Sequence, residues 1–201
     1  MKKFINLSIT VYILIGILLL IIPSETFPGF YKPSLMASLA IVSAIFMISP
    51  RIIFRKPKDR QSERALLKLQ FIITLALIIN GLGGLGLYKL YQYGIPYDKF
   101  THLVTPFIFI IGFSHFIRVW FRKNITTSIF ASSVLILFGA IAWEFLEAFS
   151  DKVIGTNLLG GGTGGIFWDT FWDSVMNVIG ITFGIFAAKR DYKKESTGDL
   201  L

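Results

Sequence analysis

The chain has 201 residues, of which 54% are hydrophobic and only 16% charged, against about 25% charged in ordinary globular chains. So few polar side chains cannot clothe a water-facing surface, which excludes an ordinary soluble domain and makes lipid the second solvent. The net charge of +8 does not indicate a nucleic-acid partner, because Lys and Arg sit in short clusters between apolar runs, without a basic stripe and interleaved aromatics.

A membrane span needs about 20 apolar residues, and six segments meet or approach that length. The first, Phe4–Ile22, follows Lys2 and Lys3 and imitates a signal peptide. It is longer than the usual apolar region of about 7–15 residues, and Pro23, Ser24 and Glu25 offer no small-residue cleavage site. It reads as a retained span. The second runs from about Pro33, a residue suited to a helix start, to Phe54. The third covers about Ala65–Leu90, the fourth Tyr97–Phe121, the fifth Ile125–Phe149 and the sixth Phe167–Ala188. The expected fold is all-α: a polytopic membrane protein, a bundle of six transmembrane helices. One domain, 1–190, carries its polar motifs within 97–185, and a flexible polar tail, 191–201, follows it. No cysteine is present, which removes disulfides, thiolate metal sites and thiol catalysis.

The loops set the expected orientation. Arg51, Arg55, Lys56, Lys58, Arg60 and Arg64 follow the second span. Arg118, Arg122 and Lys123 follow the fourth, and Lys189, Arg190, Lys193 and Lys194 follow the sixth. The opposite loops hold only Lys32, Lys89, Lys99 and Lys152. The positive-inside rule then places both termini in the cytoplasm of a bacterial-type plasma (inner) membrane. Tyr88, Tyr91, Tyr93, Tyr97, Trp168 and Trp172 cluster at the outer ends, where amphipathic rings favour the interface.

Two stretches fit the spacing G-x-G-x-x-G: Gly81/Gly83/Gly86 and Gly160/Gly162/Gly165. Neither follows a strand inside a βαβ unit, so neither has the context a phosphate cradle requires. The first reads as close helix packing, the second as a flexible outer loop. H-E-x-x-H and G-x-S-x-G are both absent from the sequence.

Ionisable groups inside a membrane are costly, so each needs a reason. Asp98 and His102 are four apart and share a helix face. Glu144 and Glu147 are three apart, with Asp151 one further turn out. Asp169, Asp173 and Asn177 form a stripe that Gly180 and Gly184 extend. All fall at the outer ends of the last three spans. Asp98, His102, Glu144, Asp169 and Asp173 form a candidate metal set, with Asn177 as a further polar group and Glu144 or Glu147 as general base. Crowded carboxylates repel, and a bound divalent cation relieves that repulsion. Oxygen donors with one imidazole suit Mg²⁺, Mn²⁺ or Zn²⁺. Pro106 frees the carbonyl of His102 from its helical donor, with Thr101 and Thr105 available to absorb the strain. The plainer reading of Asp98, Glu147, Asp151 and Asp169 is headgroup solvation, paired with Lys99 or Lys152. That of Asn177 is a helix–helix hydrogen bond. His115, on another face and deeper, reads as structural.

Three ordered stretches also carry a family likeness: Tyr97-Asp98-Lys99-Phe100-Thr101-His102, Trp143-Glu144-Phe145-Leu146-Glu147, and Trp168-Asp169-Thr170-Phe171-Trp172-Asp173. They resemble the Y-D-K-x-x-H, [YW]-E-x-x-E and W-D-x-x-x-D motifs of YjdF-type inner membrane proteins, over about Tyr97–Ile185. A looser likeness links Asp98, Lys99, His102, Asp173, Asn177 and Gly180 to VanZ-like proteins, a group tied to glycopeptide-antibiotic resistance. Neither likeness implies a reaction.

The leading expectation is a membrane-embedded, metal-dependent hydrolase or transferase at the outer leaflet, acting on a lipid or lipid-linked envelope intermediate. The alternatives are a non-catalytic accessory protein or scaffold, and a small-solute or proton-coupled transporter. The transporter is disfavoured because the inner half of the last three spans holds only His115 and edge arginines.

Overall fold

The computed structural model of the chain describes residues 1–23, 26, 33–155 and 165–197. Every regular element among the described residues is helical: α1 Lys2–Ile21, α2 Pro33–Ile53, α3 Arg60–Gly84, a 3₁₀ helix Leu87–Tyr93, α4 Tyr97–Trp120, α5 Ile125–Ile154 and α6 Gly165–Thr197. Each of the six α-helices is long and apolar enough to cross a membrane. Large side chains such as Leu7, Leu20, Ile21, Phe138, Phe145 and Phe186 are exposed along them. Such surfaces suit hydrocarbon rather than water.

The contacts of the chain divide it into two units. One holds Met1–Tyr97 with Val119–Phe121; the other holds Asp98–Arg118 with Arg122–Leu201.

In the first unit, α1 packs on α2 and α2 on α3, with α1 also touching α3. The Tyr12 hydroxyl donates to the Leu77 carbonyl at 2.7 Å and fills the space a side chain at Gly81 would need. Pro50 lies inside α2 and cannot donate to the Phe46 carbonyl. The Ser49 hydroxyl donates to that carbonyl instead, at 2.9 Å. Buried Gln70 of α3 binds the Met47 carbonyl and the Arg51 guanidinium of α2, both at 2.8 Å. Asp59 caps α3 by accepting from the Ser62 amide at 2.7 Å.

The third span ends six residues earlier than the sequence suggests. Gly86 adopts φ 130°, a backbone state open in practice to glycine alone, so the helix stops at Gly84 and restarts as the 3₁₀ turn. The Tyr88 ring occupies the space beside Gly83, and the Tyr97 hydroxyl donates to the Ile79 carbonyl at 2.7 Å. Gly81, Gly83 and Gly86 therefore serve packing and a turn. Lys32 and the glycine run 160–164 lie outside the described residues.

The second unit is α4, α5 and α6. Asn124 caps α5 by accepting from the Thr127 amide at 2.8 Å. Ile110, Ile136 and Ile181 form the buried centre, flanked by Phe109, Phe113 and Ile185. A Cβ added to Gly180 would meet the Leu103 carbonyl oxygen and, at 2.9 Å, Pro106 Cγ. One added to Gly184 would meet Ile110 Cβ at 2.7 Å and the Phe107 carbonyl oxygen at 2.9 Å. These two glycines let the α6 backbone lie against α4, as small residues do in membrane helix pairs. α6 continues to Thr197, past Ala188 and into the segment the sequence reading assigns to a tail.

Candidate metal centre

The close approach at Gly180 and Gly184 sets the register between α4 and α6. One and two turns before Gly180, on the same stripe, stand Asn177 and Asp173; opposite them on α4 stand His102 and Asp98. α5 brings Glu144 and Glu147 from its last third. The start of α4, the end of α5 and the start of α6 thus share one end of this unit, within the second unit alone.

His102 is the hub, its side chain only 9% exposed. Its Nε2 lies 3.6 Å from Asp98 Oδ1 and 3.7 Å from Asp173 Oδ1. Its Nδ1 lies 3.7 Å from Glu144 Oε1 and 3.2 Å from Asn177 Nδ2. Asp173 and Asn177 are buried. The imidazole therefore divides the site, with aspartates on one edge and glutamate with asparagine on the other.

The aspartate side is already neutralised in part. Lys99 Nζ donates to Asp98 Oδ2 at 3.2 Å, Asp169 Oδ1 at 2.5 Å and Asp173 Oδ1 at 2.7 Å, and lies 3.4 Å from the Asp169 carbonyl. The glutamate side is different. Both carboxylate oxygens of Glu144 are buried with no hydrogen-bond partner among the described residues. Glu147 is half-buried, and its Oε1 accepts from the Trp143 indole at 2.8 Å.

Two sets of donors lie close enough to share an ion: Asp98, His102 and Asp173, and His102, Glu144 and Glu147, each within 4.8 Å. Donors about 2.0–2.2 Å from a Zn²⁺ stand roughly 3.3–3.6 Å from one another, so small side-chain rotations suffice. The partnerless oxygens of Glu144 and the chemistry of the donors both fit a divalent cation.

Of the residues singled out in the sequence, Asp98, His102, Glu144, Glu147, Asp169, Asp173 and Asn177 are thus brought together. Asp169 meets Lys99 rather than either three-residue set. Asp151 and His115 are half-buried and belong to neither set. The Thr101 hydroxyl binds the Asp98 carbonyl at 2.7 Å rather than relieving the proline. Pro106 is buried, with its ring against the Gly180 notch. The pairing of Asp98 and Asp169 with Lys99 agrees with the plainer reading of the sequence; sequence reasoning missed the reach of Lys99 to Asp173, and Trp143 as the donor to Glu147. The i,i+4 spacing of Trp143 and Glu147 was the available signal for the second.

The model of one membrane family matches residues 5–192, nearly the whole chain. The chain belongs to the family described as Predicted membrane protein (DUF2238). No curated protein and no solved structure matches it. For this family member, then, membrane residence rests on both the six spans and the family, and the chemistry rests on the site itself. Together the residues offer carboxylate oxygens, one imidazole, one carboxamide and one fixed ammonium, a set able to bind a cation or to hold and move protons.

Proposed function

We propose that the α4–α6 unit binds one divalent cation through His102, Glu144 and Glu147, and serves hydrolysis or group transfer on a lipid or lipid-linked envelope molecule. Glu144 carries this reading. A buried ionised carboxylate without hydrogen bonds costs several kcal/mol; both of its oxygens lack a hydrogen-bond partner among the described residues, and a neutral His102, 3.7 Å away, brings no charge to offset that cost. A divalent ion shared with His102 and Glu147 offsets that cost. Mg²⁺, Mn²⁺ and Zn²⁺ suit the donors. When bound, such an ion supplies Lewis acidity and an activated water.

The protein's own groups have separate parts. Glu147, with one oxygen fixed by Trp143, gives the other to the ion. Asn177 Nδ2, 3.2 Å from His102 Nδ1, holds the ring until an ion takes that nitrogen. The basic loops favour a reading with both termini in the cytoplasm and the site in the outer leaflet of a plasma membrane, at the level of lipid headgroups. The YjdF-type likeness of the three motifs, consistent with family membership, supports the same residues. The depth of the site, where lipid and lipid-linked molecules lie, favours an envelope substrate.

The test is metal uptake by the full chain in detergent. After chelator treatment and dialysis against Mn²⁺ or Zn²⁺, wild type should hold one ion per chain and Glu144→Gln none. Equal uptake by the two proteins, or none by either, removes the metal reading. With uptake established, lipid headgroup release from envelope-lipid vesicles should depend on the ion and vanish in Glu147→Gln.

A second reading, a non-catalytic accessory protein, is favoured by Lys99, whose ion pairs with Asp169 and Asp173 clamp α4 to α6. It expects no ion uptake and an unchanged fold on chelation.

A further inference from the structure

We propose that Lys99 fills a second divalent-cation site with its own ammonium group, so that the native centre takes one ion where its carboxylates would otherwise take two. The inference deepens the metal reading above but is read by a different number. Lys99 Nζ has three carboxylate oxygens, from Asp98, Asp169 and Asp173, within 3.2 Å. The Asp169 carbonyl lies a little farther off, at 3.4 Å. Four oxygens converging on one point are the greater part of the roughly six that a hard cation takes, water supplying the rest. Asp98 and Asp173 also belong to a set that reaches His102 within 4.8 Å, so two of the carboxylates that hold the ammonium also lie beside the imidazole. His102 lies between that point and the partnerless oxygens of Glu144.

A tethered ammonium has two physical effects there. It occupies the aspartate oxygens without being lost to solvent. Its single charge also repels a neighbouring divalent ion less than a second divalent ion would, since Coulomb repulsion scales with the product of the charges. The centre becomes a cation-plus-ammonium pair, in place of the paired ions used by two-metal enzymes.

The experiment counts Mn²⁺ bound per chain by equilibrium dialysis, on full-length protein in detergent. Lys99→Met should bind one more Mn²⁺ than wild type, and Lys99→Arg, which keeps a cation in place, should match wild type. If Lys99→Met does not fold, the double variant Lys99→Met/Asp169→Asn removes one uncompensated charge and leaves Asp98, His102 and Asp173 for the added ion. A gain of one ion in either variant supports the inference whatever wild type binds. No gain in a folded variant overturns it. A count of zero in wild type overturns the Glu144 reading instead, so the two failures are distinguishable.

Discussion

Lys99 Nζ lies 2.7 Å from Asp173 Oδ1, joining the first turn of α4 to the third turn of α6. The Asp173 side chain is 4% exposed and that of Lys99 18%, so water solvates this pair poorly. Removing one partner of such a pair leaves the other buried and uncompensated, at about 3–5 kcal/mol when burial is complete. Lys99→Met should therefore lower stability by about 2–4 kcal/mol in chelator, less than the full figure because the Asp98 arm is 40% exposed. Lys99→Met/Asp173→Asn should recover part of the loss. A double-mutant cycle on detergent melting curves measures the coupling. Additive losses in the two single variants would show that the pair contributes nothing.

Gly180 and Gly184 set the distance between α4 and α6, and their substitution has a definite sign. A methyl group at Gly180 meets a backbone carbonyl, which cannot rotate away, and the Pro106 ring. Overpacking of this kind costs typically about 1–3 kcal/mol. Gly180→Ala should lower the melting temperature, because the contact it disturbs also sets the separation of His102 and Asp173. Gly139 is the control: nothing lies within 4 Å of an added Cβ there. Gly139→Ala should be neutral, or stabilising by up to about 1 kcal/mol through helix propensity. Equal effects at positions 139 and 180 would remove the close-packing argument.

The polar stripes were legible in the sequence because a helix enforces its own periodicity. Asp98 and His102, Glu144 and Glu147, and Asp173, Asn177 and Gly180 each share a face whatever surrounds them. Lys99 was not legible in the same way. It sits one position from Asp98, off the stripe, and reads as an interfacial loop charge. Only its long flexible stem carries the ammonium round to Asp169 and Asp173. The end of the third span was hidden for another reason. The residues from Leu82 to Leu90 are apolar enough to continue a helix, and the break depends on the φ of Gly86, which composition does not reveal. The length of α6 past Ala188 was missed because hydropathy marks where lipid ends, not where the helix ends.

The distribution of Lys and Arg among the loops makes the side of the membrane that holds the site a testable prediction. The absence of native cysteine makes single-cysteine labelling clean. Asp59 and Asn124 cap helices and should be left intact, whereas Lys58, Lys123 and Gln92 are exposed. The positive-inside rule predicts that Lys58→Cys and Lys123→Cys react with a membrane-impermeant maleimide only after the cells are opened. Gln92→Cys should react in intact cells. Labelling of Gln92→Cys only from the inside would invert the site and rule out an outer-leaflet substrate.

The sharpest prediction concerns the sign of one substitution under two conditions. Glu144→Gln keeps the size of the side chain and removes its charge. Without metal, wild type holds Asp98, Glu144, Glu147, Asp169 and Asp173 against the single ammonium of Lys99, and neutralising a buried carboxylate relieves repulsion. In chelator, Glu144→Gln should therefore melt above wild type. With saturating Mn²⁺ or Zn²⁺ the order should reverse. An ion at about 100 times its Kd stabilises the native state by about 2.7 kcal/mol, or roughly 5–10 °C for a chain of this size, and Glu144→Gln gains little of that. Acidification should erase the metal-dependent gap in wild type, because protons compete for the same oxygens and imidazole that coordinate the ion. The direction follows from the ligand form: the deprotonated groups bind, so the metal contribution is present at neutral pH and lost as pH falls. A crossing of the two melting curves between chelator and metal requires a bound ion at Glu144. Curves that keep the same order in both conditions would leave only the repulsion term and would refute a cation at this centre.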